Sequence, residues 1–232
     1  MLRSACRAWP SMSVMLVVGA CTITDPVRHE AHQQPIPPGA RVLLMKPDIE
    51  CSAVLASGLV EPNAAWTAEA EGNVEAALKQ LIEEQQAQVV TYDAASLALD
   101  REARHRELLR LYEAVAVSMV TRGAIPTAST RTTWTLGPGV RDIAADFDAD
   151  YALFIVLRDQ YETAGRIATR VAAAAFGFMT TPAVQQGFAS LIDLETGDIV
   201  WFNRLFSTTG DLREAEEARE SVERLLEGCP VT

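Results

Sequence analysis

The sequence is short of positive charge. Its 232 residues carry 20 Lys and Arg against 31 Asp and Glu, a formal net charge of −11. Such an acidic chain lacks the electrostatic footprint of a nucleic-acid-binding protein. Histidine is scarce, at three residues, and cysteine at four. No G-x-S-x-G, Walker-type phosphate loop, HExxH or CxxC occurs. That removes the common signatures of serine hydrolases, nucleotide-binding loops, zinc peptidases and thiol redox sites. No apolar run reaches the ~20 residues a membrane-spanning helix needs, and no internal repeat is visible. What is left is an ordinary globular composition, 49% hydrophobic and 22% charged. It excludes a wholly disordered chain and suffices for one sizeable core.

The first twenty residues read as an address. Arg3 and Arg7 give a positive start, Met12 to Val18 an apolar run, and Gly19 and Ala20 a small-residue close. This is the layout of a secretory signal peptide. Cys21 follows at once. Val18-Gly19-Ala20-Cys21 resembles the lipobox of bacterial lipoproteins. The resemblance implies cleavage before Cys21, covalent lipid on its sulfur, and a domain anchored to the membrane rather than spanning it. Thr22, at the second mature position, suggests the outer membrane, because Asp is the residue that bacterial sorting commonly retains in the inner one.

Residues 21–40 hold Pro26, Pro35, Pro37, Pro38 and Gly39 with little apolar periodicity, and are expected to be a flexible tether. His29 and His32 lie in it and are expected to be solvated. His29-Glu30-Ala31-His32 is one residue short of HExxH, so its histidines would not share a helical face. After processing, two thiols remain, Cys51 and Cys229. In an oxidising periplasm they are a candidate disulfide tying the carboxyl tail to the start of the fold. The alternative is two separate buried thiols.

From 41 to 232 the pattern is a single α/β domain, a three-layer mixed sheet flanked by helices, closing with a β-hairpin and a final helix. Strands are expected at 41–45, within 49–59, at 88–92, 151–157, 188–194 and 199–206. Tyr151–Leu157 is apolar throughout and is expected to be the central strand. Helices are expected at 66–86, 97–122, 139–147, 164–180 and 211–227. Gly197 supplies the positive φ of a tight hairpin. Asp211 and Glu214 have capping-box spacing. His105, between Arg104 and Arg106, reads as solvated.

Candidate functional residues follow the central strand, where an α/β sheet often places its binding groups. Arg158, Asp159 and Tyr161, with Arg166, form a candidate recognition edge; a strand end carrying an ion pair is the plainer alternative. Trp66, Trp134 and Trp201 are a candidate binding face or else core plugs. Asp146, Asp148 and Asp150 mimic the start of a calcium loop, but Tyr151 stands where the turn needs glycine and Leu157 where it needs glutamate. No metal or cofactor is expected beyond the lipid. The helix over 164–180 has no charge from Val171 to Met179. It reads either as a crossover helix covering the sheet or as a surface for self-association or membrane contact. Arg166 and Arg170 mark its polar start and Phe176 and Phe178 its apolar surface.

Asp150-Tyr-Ala-Leu-Phe-Ile-Val and Gly187-Phe-Ala-Ser-Leu-Ile-Asp-Leu-Glu-Thr-Gly-Asp-Ile-Val-Trp-Phe-Asn203, with Met45-Lys-Pro-Asp48, Glu61-Pro and Trp66-Thr67, resemble an uncharacterised family of bacterial envelope lipoproteins. More distantly, the layout is similar to the amino-terminal domain of TolB and to curli-secretion and penicillin-binding-protein-activator lipoproteins. The resemblance implies a non-enzymatic, periplasm-facing role in envelope assembly, through an envelope protein partner or a homo-oligomer. Two rival readings stay open: an envelope hydrolase with a carboxylate-based site, and a small-ligand or lipid-binding module.

Overall fold

A twelve-residue strand, β7 (Tyr151–Glu162), runs through the middle of the molecule. Its first seven residues bury side chains on both faces, which is why they form a continuous apolar run. The computed structural model describes residues 22–24, 27–28, 36–37, 39–84, 88–120 and 134–230. Residues 1–20, where a signal peptide is expected, and Cys21, His29 and His32 lie outside the described residues.

One edge of β7 is shared by two strands laid end to end. β3 (Arg41–Leu44) pairs in parallel with Tyr151–Leu153, and β4 (Asp48–Val54) with Val156–Glu162. The Met45-Lys46-Pro47 step between them suits a residue without an N–H to donate. β5 (Val60–Pro62) folds back on β4, and α1 (Ala64–Glu84) leads to β6 (Gln88–Thr91), parallel to β3. α2 (Leu99–Val120) and α3 (Arg141–Phe147) precede β7. Beyond β7 lies α4 (Ala164–Ala175), then the antiparallel strands β8 (Gln185–Asp193) and β9 (Ile199–Ser207), and last α5 (Ala215–Leu225). α1 and α5 cover one face of the sheet, over Val74, Leu78, Val222 and the fully buried Trp201. α2 and α3 cover the other, over Tyr112, Ile143, Phe154 and Phe188. The expected three-layer mixed sheet with its hairpin and final helix is present. No described helix is long and apolar enough to cross a membrane.

Several local expectations are corrected. The described parts of the 21–40 tether are partly docked: β1 (Thr22–Thr24) and β2 (Val27–Arg28) both pair with β9. α5 starts at Ala215, because the Asp211 carboxylate is taken by Arg213 and Glu214 makes no side-chain cap. α4 ends at Ala175. Gly177, at φ 80°, closes it with Phe178 N–H donating to Ala173 O and Gly177 N–H to Ala174 O, the Schellman arrangement. His105 is buried, not solvated. It lies on the inward stripe of α2 with Tyr112, Ala116 and Met119, packs on Phe147, and sits with Nε2 3.0 Å from Asp146 Oδ2. The charged neighbours that suggested solvent are on the outer side of the helix.

Candidate functional site

Side chains alternate across a strand, so the residues after the apolar part of β7 divide between its two faces. Asp159 and Tyr161 turn toward the α1–α5 side. Asp159 is 2% exposed, and its Oδ2 accepts from Tyr161 Oη at 2.6 Å, Gln185 Nε2 at 3.1 Å and the Leu212 N–H at 3.2 Å. Burial raises its pKa, while these three donors pull the other way. Burial and the bond to Asp159 raise the Tyr161 phenol too. Arg213 closes the cluster. Its guanidinium binds the Asp211 carboxylate at 2.8 and 2.6 Å and lies 3.8 Å over the Tyr161 ring and 4.7 Å over Trp66. That contact holds the Asp211 carboxyl below its usual pKa.

Beside this cluster opens a cleft of about 570 Å³, walled by Tyr161, Arg170, Gln185, Thr209 and Arg213. Asp159 does the work of a tie: it joins β7, β8 and the segment leading to α5. A buried carboxylate whose oxygen is held by three donors is a structural tie between segments. Among the described residues, no three His, Cys, Asp or Glu side chains come together to hold a metal. The three acids of the calcium-like stretch part company. Asp146 meets Arg101 at 2.9 Å, Asp148 the Arg41 side chain, and Asp150 the Arg41 N–H at 2.8 Å.

Arg158 turns to the opposite face. It donates to the Asp48 carbonyl at 2.8 Å and to the Asp48 carboxylate at 2.6 Å. Around it runs a groove past the end of α2. One part, of about 360 Å³, is lined by Ile23, Phe188 and Phe206, and the next, of about 300 Å³, by Tyr112, Ala116 and Val117; Val156, Arg158 and Phe188 belong to both. Ile23, Val117 and Phe206 are exposed on its rim. Arg158 thus does not share an edge with Asp159 and Tyr161.

No protein-family model matches the chain, and no curated protein matches its sequence. Solved structures with a similar layout include a PelC dodecamer from Paraburkholderia phytofirmans, at 12% identity and TM-score 0.47, covering 91% of this chain and 97% of that one. A point variant of the same dodecamer matches at 12% identity and TM-score 0.43, covering 91% and 98%. Likenesses at that level lend this chain no role, and neither one leads specifically to TolB.

The remaining expected residues separate. Trp66 joins the Arg213 cluster, edge-on to Tyr161 at 5.5 Å, whereas Trp201 is a core plug on β9 and Trp134 packs on the α2 side. Cys51 and Cys229 both lie in the α1–α5 core, and Cys51 is a free thiol, so the candidate bridge between them is not formed. Burial, followed by the Asp159 charge, pushes the Cys51 thiol up to about 11. At neutral pH it is protonated, the form that does not attack a disulfide.

α4 is the largest departure from a covering helix. None of its residues is buried. Arg166 and Arg170 turn inward, Arg170 to Glu162 at 2.9 Å and Arg166 to the Thr181 carbonyl at 3.2 Å. The apolar side faces out, and at its end Phe176 is 81%, Phe178 68% and Met179 100% exposed. The sequence carried the signal for Phe176 and Phe178. It carried none for Gln185 and Leu212, which reach Asp159 from distant segments.

Proposed function

We propose that this chain is a lipid-anchored, periplasm-facing, non-enzymatic domain that binds another envelope protein or a second copy of itself. The observation that supports it is the Arg158 groove. An apolar rim of Ile23, Val117 and Phe206 surrounds a fixed Arg158–Asp48 pair. Apolar side chains around an arginine held in one geometry are the anatomy of a protein interface. The groove's β1 wall begins one residue after Cys21, so an acyl anchor there holds the groove close to the envelope membrane. The test is a photo-crosslinking residue placed at Phe206 or at Leu99, which is exposed elsewhere, in intact cells. One adduct of defined mass from Phe206 and none from Leu99 is expected, and Val117→Asp should abolish it. Equal crosslinking from both positions, or none from either, sinks the reading. The anchor is checked separately: Cys21→Ser should leave uncleaved or mislocalised precursor.

A second reading, a small-ligand module, draws on one observation. Gln185 Oε1 is buried beside the 570 Å³ cleft without a hydrogen-bond partner among the described residues. A ligand donating an N–H or O–H there would satisfy an acceptor that otherwise costs about 1–3 kcal/mol.

A further inference from the structure

The end of the sheet where β7 finishes gathers segments from the whole chain. Glu162 of β7 pairs with Val54, just before the β4–β5 turn; Asp159 pairs with Gln185, Gln185 with Ser207, and Ser207 with Thr22. α4 starts at this end, two residues after β7. A Cβ on Gly165 would lie 3.4 Å from that of Ala56, so the first turn of α4 rests on the β4–β5 turn. Leu59 and Val60, on the far side of that turn, are exposed as well. One end of the molecule therefore displays Leu59, Val60, Ile167, Val171, Phe176, Phe178 and Met179 to solvent.

We propose that α4 and the turn after it lie in the surface of a lipid bilayer, as a second membrane contact beside the amino terminus. Three observations favour a bilayer over a second copy of the chain. The first is shape. Twelve helical residues span about 18 Å, and Phe176, Phe178 and Met179 stand exposed just past the end of the helix, a small apolar area. A stable protein interface needs about 800 Å² per partner of matching surface, whereas a fluid bilayer requires no matching shape. The second is charge. The two arginines of α4 are turned inward and tied to Glu162 and Thr181, so inserting the outward face strips water from no ion. The third is the position of the chain start. Thr22 sits at this same sheet end, and one residue of chain spans at most ~3.6 Å. Acyl chains on Cys21 would thus enter the bilayer beside α4. Only this third point rests on the lipid-anchor reading.

Lipid chains fix distance from a membrane but not orientation. An amphipathic helix pressed into the interface fixes both. With α4 down, the sheet stands with the β7 start and Leu99 directed away from the surface.

The test uses the full chain produced in a bacterial envelope, purified and reconstituted into phosphatidylcholine vesicles. An environment-sensitive fluorophore is placed on Phe178→Cys, or on Leu99→Cys at the other end of the sheet. Both sites are exposed, so neither change disturbs the core. Vesicle binding should blue-shift the probe at 178 and doxyl-labelled lipids should quench it, with the probe at 99 unchanged in both respects. Mass spectrometry of the amino-terminal peptide reads the anchor independently. Lipidated protein that floats with vesicles while the probe at 178 stays unquenched overturns the proposal and leaves the anchor standing. Unlipidated protein that floats with the probe at 178 quenched supports the proposal and removes the anchor. A blue shift at 178 that doxyl lipids do not quench, together with dimers in sedimentation, overturns it in favour of self-association. Substituting Ser for Phe176 and Met179 should lower vesicle partitioning of unlipidated protein by about tenfold or more.

Discussion

The turn between β8 and β9 offers a substitution whose cost is readable from geometry. Gly197 has φ 84°, a left-handed conformation. A Cβ there would lie 2.1 Å from the Gly137 carbonyl oxygen and 2.7 Å from its carbon. Gly197→Ala therefore has two costs. The conformation itself costs a side chain about 1–2 kcal/mol. The clash must then push away the 134–138 segment, which is held by Leu136 N–H and Thr135 Oγ1, both donating to Gly197 O, at 2.8 and 3.1 Å. Losing those bonds adds about 0.5–1.5 kcal/mol each. The total is about 2–5 kcal/mol, or roughly 4–20 °C in melting temperature for a domain of this size. Gly39 provides the control. Its φ is 85° and nothing lies within 4 Å of its missing Cβ, so Gly39→Ala should cost the conformational part alone. Thermal melts followed by circular dichroism compare the two. Equal shifts for both variants would refute the close approach of the hairpin to Gly137.

Two further perturbations address buried polar groups. Burial raises the folded Asp159 pKa above its unfolded value, so the contribution of this group to wild-type stability falls as pH rises through that window and is level above it. Asp159→Asn does not titrate. Its stability relative to wild type should therefore climb with pH from about 4 and then flatten; Asp211 shifts the opposite way but is common to both proteins and cancels. Urea midpoints measured across acid and neutral pH read this, and a flat or falling difference contradicts it. His105→Ala removes a buried ring packed on Tyr92 and Phe147 and should cost about 2–4 kcal/mol; an unchanged urea midpoint would return His105 to the surface.

Where one physical cause dominates, the sequence alone is enough. Tyr151–Leu157 is apolar because both its faces are covered, and Gly197 stands where the hairpin needs positive φ. β7 continues to Glu162, which sequence reading stopped short of, because Arg158–Glu162 are polar. Their polarity is satisfied by Asp48, Gln185 and Leu212, residues that only the folded sheet brings near. β1 and β2 are strands because β9 offers them an edge, and nothing in a proline-rich segment announces a distant edge. His105 is hidden by arginines on both sides, although its seven-residue spacing to Tyr112 places both on the same side of α2. The apolar outer face of α4 is legible residue by residue. That it lies outside rather than under the sheet is not, since burial and exposure of an apolar helix look alike in one dimension.

The end-to-end placement of β3 and β4 along β7 has a consequence for the order in which the chain can fold. Val42 finds its partner in Tyr151 and Asp48 in Val156, so two early strands, though β6 and β5 can pair with them sooner, each keep one edge open for a strand made much later. Loop closure of that length is slow and leaves strand edges open while it lasts. β7, β8 and β9 follow one another and pair as near neighbours, a local unit on which the earlier strands then assemble. Thr22–Thr24 wait longest, because their template is Leu205–Ser207. The first described residues of the chain are among the last to be held.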